Sequence, residues 1–406
     1  TFQAGGCIHE RLRTLLLPRE TVRRKQKSFL MVVGDPIPAD RLERFSTPEE
    51  ATAFLRFQTF LLRGRIGKPS SGLWKALRAH PPSTGTPNPR EIPVESPVSR
   101  RKLEQEVSQL PADCLLLQQG RFVIYCAQRP DIPQVLREIG RLREITFREV
   151  NEGTGKASDL DGFDRYYWHL FLWDSQESRV AGAYRLGFSE EILPLYGQRG
   201  FYTHTLFRMK PEFLQKLSPC LELGRSFIAP DYQKKHASLV LLWKGIGRFI
   251  LRHPQIRNLF GPVSIDRGYQ SLSRDIMVQF LKTRKGAEEL AHGVRPRHPL
   301  SRGPLDAEER KTLHRVVADI DEVSALISEM EETGKGVPVL LKHYVKLNAR
   351  LLAFNVDPHF NHAVDSLMVV DLPNVQPRLL NHYLGKSGCV AYLEKHRSMR
   401  NPEVIG

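Results

Sequence analysis

Leu221-Glu222-Leu223-Gly224-Arg225-Ser226-Phe227-Ile228-Ala229-Pro230-Asp231-Tyr232-Gln233-Lys234-Lys235-His236-Ala237-Ser238 is the stretch on which the reading of the fold turns. Its first half reads as a strand carrying a carboxylate and a guanidinium three positions apart. Pro230-Asp231 then turns the chain, Lys234-Lys235-His236 forms a basic cluster, and Ala237-Ser238 opens a helix. Side chains alternate across a strand, so Glu222 faces away from the side that Leu221 and Leu223 occupy. Upstream, residues 121–126 read as a strand and 132–150 as a helix, while 166–173 and 179–187 read as two strands joined by the turn-rich Asp174-Ser175-Gln176-Glu177-Ser178. Downstream, helices over 237–251 and 272–281 flank a strand over 258–265. One long helix is predicted from an N-cap at Asp306 to about residue 332, with Leu313, Ile320, Val323, Leu326 and Met330 on one stripe and Gly334 ending it. A last strand covers 366–371. The alternation predicts an α/β (α+β) domain built on a mixed central sheet flanked by helices.

Residues 1–65 pattern as a separate small piece. A basic, Leu-rich stretch over 11–27 leads to an apolar β-like run over 29–33, and Gly34-Asp35-Pro36-Ile37-Pro38 turns the chain. Pro48-Glu49-Glu50 opens an amphipathic helix with Ala53, Phe54, Phe57, Phe60 and Leu61 at helical spacing. Residues 66–105 read as a Pro-rich linker around Pro81-Pro82-Ser83-Thr84-Gly85-Thr86-Pro87-Asn88-Pro89, and 106–406 as the main domain. The chain starts at Thr1 inside an unfinished pattern and is expected to be a fragment of a longer protein.

Of the 406 residues, 60 are Lys or Arg and 45 Asp or Glu, a formal net charge of +15. That surplus favours an anionic partner: nucleic acid, phospholipid headgroups or an acidic carrier protein. Nucleic acid is not expected, because the basic residues are dispersed rather than gathered on one face with stacking aromatics. A hydrophobic content of 41%, with 20 Phe, 11 Tyr and 4 Trp to bury, argues against disorder. The most apolar stretch, 239–251, holds Lys244 and Arg248 and falls short of the ~20 residues that a membrane-spanning helix needs. Cys7, Cys114, Cys126, Cys220 and Cys389 form no C-x-x-C pair, which fits a reducing cytoplasm better than a disulfide framework or zinc site. His359, His362 and Asp365 carry metal-like spacing only weakly, and no metal is expected.

The 221–238 segment resembles the fourth strand and following helix of the GNAT acyltransferase superfamily. More narrowly, it is similar to the branch holding ornithine-lipid N-acyltransferases and acyl-homoserine-lactone synthases, whose E-x-x-R strand matches Glu222 and Arg225. Arg141-Leu142-Arg143-Glu144-Ile145-Thr146-Phe147, Val180-Ala181-Gly182-Ala183-Tyr184-Arg185-Leu186 and Val356-Asp357-Pro358-His359-Phe360-Asn361 match in the same order, so the resemblance spans about residues 110–375. It implies a GNAT-like mixed sheet. It also implies N-acylation of an ornithine-like amino acid by a 3-hydroxyacyl chain from acyl carrier protein, within a bifunctional aminolipid synthase. An acyl-homoserine-lactone synthase, sharing the same strand, is the neighbouring alternative.

A free amine is protonated at pH 7 and is no nucleophile, so such an enzyme needs a base. The resemblance casts Glu222 in that role, directly or through a water, with Arg225 orienting it or binding the donor. Partial burial would raise the Glu222 pKa; the competing reading is a structural ion pair beside the sheet. Ser226, Phe227 and Ile228, on the splayed strand, are implied at the donor, where free backbone N–H groups hold the thioester oxygen. Acetyl-CoA users carry a glycine-rich loop at this point, whereas Gln233-Lys234-Lys235-His236-Ala237-Ser238 has no glycine. Side chains there obstruct a pyrophosphate, while Lys234, Lys235 and His236 at a helix start suit one phosphodiester. The expected donor is therefore an acyl thioester on the phosphopantetheine of acyl carrier protein, with acyl-CoA as the alternative, and no permanently bound cofactor. Arg185 is a candidate for the substrate carboxylate. Asp161 and Asp164 are candidates for a cationic side chain, against the plainer reading of a turn cap.

Residues 2–20 together with Gly34-Asp35-Pro36-Ile37-Pro38 resemble the tail of a lysophospholipid acyltransferase domain. That family works through an H-x-x-x-x-D pair, which makes glycerolipid O-acylation the second alternative. The pairs His169/Asp174 and His314/Asp319 are rejected: the first falls on opposite faces of a strand, and the second lies about 140° apart on a helix. The remnant is expected to be inactive; its Arg19, Arg23, Arg24, Lys25 and Lys27 suit either contact with anionic lipid or a plain solvated face. The expected location is cytoplasmic, peripheral on the inner face of the membrane.

Overall fold

A computed structural model describes residues 33–34, 36–66, 92–233 and 237–400, divided into two units after Ala79. In the first unit, α1 (Pro48–Ile66) follows a short helix, Ala39–Leu42, and places Glu49 and Glu50 where the helix dipole favours negative charge. Phe54, Phe57 and Leu61 are buried, and the Phe45 ring lies 5.2 Å from that of Phe54. The basic stretch 11–27, most of the β-like run, and the Pro-rich segment 81–89 lie outside the described residues.

The second unit contains β1 (Leu115–Gln119), β2 (Phe122–Ala127), β3 (Trp168–Asp174), β4 (Arg179–Phe188), β5 (Phe207–Met209), β6 (Cys220–Ile228), β7 (Asn258–Ile265), β8 (Val294–Pro296), β9 (Arg350–Asp357) and β10 (Ala363–Asp371). Eight of these form one sheet in the order β1-β2-β3-β4-β6-β7-β10-β9, and β5 pairs with β8. Neighbours run antiparallel except β6 and β7, which are parallel. This mixed sheet flanked by helices bears out the expected GNAT-like class. Part of the expected 66–105 linker is bonded to this unit. Pro93 and Pro97 hold residues 92–99 extended, and the N–H groups of Ile92, Glu95 and Val98 donate to Gly155 O, Ala157 O and Glu138 Oε2 at 2.9, 3.0 and 3.0 Å. The helix α2 (Arg100–Ser108) then buries Leu103 and Val107. Residues 92–105 are thus bonded to this unit.

Two helices sandwich the middle of the sheet. α3 (Pro133–Glu149) opens with proline at a position where its missing N–H costs nothing. α4 (Ala237–Arg252) covers the opposite face, where Gly245 lets the backbone close onto Ile124 and Leu170. The decisive feature lies between β6 and β7. They pair only through Cys220–Asn258, Leu221–Leu259 and Glu222–Phe260, after which both strands continue without pairing to each other. A glycine is required where they part, because a Cβ at Gly261 would collide with the Leu223 carbonyl oxygen. On its other side β6 is bulged against β4, the register slipping between Ala183 and Arg185, and Arg225 sits in the left-handed region at φ 48°. Together the splay and the bulge open the sheet beside Arg225.

The long helix expected from Asp306 is two helices, α5 (Ala307–Val316) and α6 (Ile320–Met330). The break is made by Asp319, whose Oδ1 accepts from the Asp321 and Glu322 N–H groups at 2.8 and 2.9 Å and starts a second helix.

Candidate active site

Glu222 does not stand open to a substrate. It is 1% exposed. Its Oε1 accepts from the Thr203 N–H at 2.6 Å and from the Thr203 hydroxyl; its Oε2 accepts from the Tyr202 N–H at 3.1 Å and from the Tyr167 hydroxyl. Burial pushes its carboxyl above the ordinary value, against the bonds from Thr203 and Tyr167 that pull it down. Four donors thus engage its two oxygens. The carboxylate fixes the start of the Thr203–Leu206 turn of helix to the sheet. Arg225, its expected partner, points elsewhere.

Above the sheet lies a network of buried guanidiniums and carboxylates. Arg143 pairs with Asp164 at 2.9 Å and with Asp159 at 3.5 Å. Arg185 pairs with Asp161 at 2.7 Å and Asp164 at 3.2 Å, and lies over the rings of Phe163, Tyr167 and Tyr202. Burial opposes ionisation of Asp164, yet Arg143 and Arg185 hold its carboxyl well below the usual range. Both Arg185 and Asp164 were expected to hold substrate. Each is buried and ion-paired, neither lines the cleft described next, and Nε and Nη2 of Arg185 have no hydrogen-bond partner among the described residues. Asp161 serves two roles: its side chain caps the Gly162–Arg165 turn, as the plainer reading had it, and at 26% side-chain exposure it also lines a cleft.

That cleft has a volume of about 360 Å³ and is bounded by Thr154, Asp159, Asp161, Tyr202, Arg225 and Asp357, among others. The Arg225 guanidinium is sandwiched between Tyr202 and Phe360, 4.8 and 4.6 Å from the ring centroids. Its carboxylate neighbours are loosely placed, Asp159 at 3.4 Å and Asp161 at 3.8 Å, and among the described residues its Nε has no hydrogen-bond partner. The sheet opening thus holds a ring-clamped, ion-paired guanidinium beside the carboxylates of Asp161 and Asp357. Of the expected donor contacts, Ser226 and Ile228 are half-buried and Phe227 buried on the bulged end of β6, while Lys234, Lys235 and His236 lie outside the described residues.

Sequence reasoning passed over several groups here. Tyr202 carried no motif signal, and Phe360, although inside the matched 356–361 segment, was given no role. Glu152, in an undistinguished Asn-Glu-Gly-Thr run, is pushed up to about 8, first by burial, then by the charges of Asp365 and Asp266, with Arg225 pulling the other way. Asp365 is pushed up to about 7 by burial and the charge of Asp357. Asp357 and Asp365 are brought near each other by the pairing of β9 with β10.

Residues 142–244 match the acetyltransferase (GNAT) domain family. The glycine N(alpha)-acyltransferase of Bacteroides thetaiotaomicron is 31% identical over 278 residues, 64% of this chain and 80% of that protein. This chain belongs to the GNAT-type amino-acid N-acyltransferases. The N-acyltransferase is also 25% identical, over 263 residues, to the L-ornithine N(alpha)-acyltransferase of Agrobacterium fabrum, covering 63% of this chain and 82% of that one. A solved CoA-dependent acyl-homoserine lactone synthase aligns with 38% of this N-acyltransferase and 71% of its own chain, at 16% identity and a TM-score of 0.24, too distant to argue from. Among the described residues of the N-acyltransferase, no helix is long and apolar enough to cross a membrane.

Proposed function

We propose that this N-acyltransferase moves an acyl chain from the phosphopantetheine thioester of an acyl carrier protein to the α-amino group of an amino acid seated under Arg225. The observation that carries the reading is the aromatic-clamped guanidinium beside Asp161 and Asp357 in one cleft. An amino acid offers the complement: a carboxylate for Arg225 and an ammonium for the carboxylates. The amine nitrogen attacks the thioester carbonyl carbon, the C–S bond breaks, and the thiol leaves. Backbone N–H groups at the β6 bulge are proposed to hold the oxyanion.

Asp161 and Asp357 favour an ornithine-like acceptor with a second ammonium, whereas the higher identity to a glycine enzyme favours glycine. The surplus of 15 positive charges supports an acidic carrier protein as the donor. Sequence alone supports the remaining proposals: that the first unit descends from a lysophospholipid acyltransferase within a bifunctional lipid synthase, and that it meets an anionic membrane surface. The test incubates the chain with 3-hydroxyacyl carrier protein or 3-hydroxyacyl-CoA and equal glycine and ornithine, followed by mass spectrometry. An N-acyl amino acid formed faster from the carrier protein is expected. Faster turnover of the CoA thioester overturns the donor, and an O-acylated glycerolipid as sole product overturns the reaction.

A further inference from the structure

Glu222 and Arg225 stand three residues apart on β6, and Tyr202 touches both. We propose that Tyr202 is the positioning residue of the acceptor site, and that Glu222 acts on substrate binding through it, by holding the turn from which the Tyr202 ring carries Arg225; this rests on the reading of the Arg225 cleft as the acceptor site. The turn is held from several sides. The Tyr202 N–H donates to Glu222 Oε2 at 3.1 Å and to the Tyr167 hydroxyl at 3.0 Å, and the Thr203 N–H donates to Glu222 Oε1 at 2.6 Å. Two residues upstream, Gly200 O accepts from the Tyr166 hydroxyl at 2.8 Å. A buried carboxylate that takes two successive amide protons fixes the direction in which the Tyr202 side chain leaves the backbone.

The ring itself is set by Phe163, which meets it edge-on with centroids 5.8 Å apart and planes at 85°. Both guanidiniums of the site lie over it, Arg225 at 4.8 Å and Arg185 at 5.3 Å from its centroid. Arg225 needs such a hold. Its backbone is in the left-handed region at φ 48°, which a residue with a Cβ keeps only where its surroundings impose it. Its carboxylate neighbours, at 3.4 and 3.8 Å, stand beyond the reach of a tight charge-assisted bond. The rings of Tyr202 and Phe360 therefore set the plane of the guanidinium, and a guanidinium stacked on aromatic faces keeps its edge for a ligand carboxylate. Tyr202 and Arg225 both line the cleft.

A positioning role has its own kinetic signature. Loosening the guanidinium weakens carboxylate binding in the ground state and the transition state alike, so KM rises and kcat stays. Loss of a general base lowers kcat instead.

The test measures kcat, KM, amino-acid Kd by calorimetry and Tm for wild type, Tyr202→Phe, Tyr202→Leu, Glu222→Gln, the Tyr202→Leu/Glu222→Gln pair and Arg225→Gln. Tyr202→Leu is expected to raise Kd and KM about tenfold at nearly constant kcat. Tyr202→Phe keeps the ring and the N–H, and should stay within about threefold of wild type. Glu222→Gln should also raise KM, and adding it to Tyr202→Leu should change KM by less than about twofold, because the path it acts through is already gone. Fully multiplicative effects in the pair overturn the proposal, as does Tyr202→Leu with Kd within about twofold of wild type, or Glu222→Gln with an unchanged KM. If Tyr202→Leu does not fold, Tyr202→Met, of similar reach and without a ring, takes its place. A wild-type protein that binds no amino acid, or Arg225→Gln with an unchanged Kd, instead overturns the acceptor-site reading on which the proposal rests.

Discussion

At the scale of single residues, Glu222 shows that a motif can reveal a pattern without revealing the partners of its side chain. The E-x-x-R spacing put a carboxylate on a strand, where Glu222 is, but whether its oxygens were free depended on Tyr167, Tyr202 and Thr203, 55, 20 and 19 residues away. Nothing in the strand itself announces those partners. Glu222→Gln turns an acceptor into an NH2 group facing at least one donor, and is expected to cost about 1–3 kcal/mol of stability, read by denaturant unfolding. Unchanged stability with activity abolished would make Glu222 the base. Asp365 supplies an opposite case. A carboxyl whose folded pKa is raised binds its proton more tightly when folded, so its contribution is retained below the unfolded value near 3.9 and lost as pH climbs through about 7. Asp365→Asn is therefore expected to be more stable than wild type at pH 8 and to lose that advantage below pH 5. A difference that stays constant with pH would contradict the assignment.

At the scale of elements, the segments that were easiest to read were those whose burial follows one period. The strand expected over 258–265 is β7 as observed, and the helix expected over 132–150 differs from α3 by one residue at either end. β9, with its mixed pattern, was missed, as were the short helices between β4 and β6, which pack by tertiary contact. The single long helix failed for a local reason: Asp319 kept the apolar stripe in phase while capping a new helix, so periodicity alone could not see the break. Splay between β6 and β7 was implied only by family likeness, although its cause, Gly261, is a residue of the chain. Gly261→Ala drives a methyl group into the Leu223 backbone, where no side chain can yield. A loss on the order of 3 kcal/mol or more is expected, measurable as a lowered Tm; an unchanged Tm would mean that the strands part for another reason.

At the scale of the whole molecule, the charge balance was legible from composition, whereas the cleft was not. Arg225, Asp161 and Asp357 come from β6, a turn before β3 and the end of β9, so their meeting is a product of strand order. The surplus of 15 positive charges acts at longer range. If an acidic carrier protein delivers the acyl chain, raising the salt from 50 to 500 mM should raise the KM for the acyl-carrier substrate several-fold and leave kcat nearly constant. Steady-state kinetics that are flat in salt would remove the electrostatic argument for that donor. The most direct measurement is a crystal structure of the protein with an amino-acid acceptor bound. The account requires the acceptor carboxylate within hydrogen-bonding distance of the Arg225 guanidinium and its amino nitrogen facing the opening between β6 and β7; an amino acid bound elsewhere, with the Arg225 cleft empty, would contradict it.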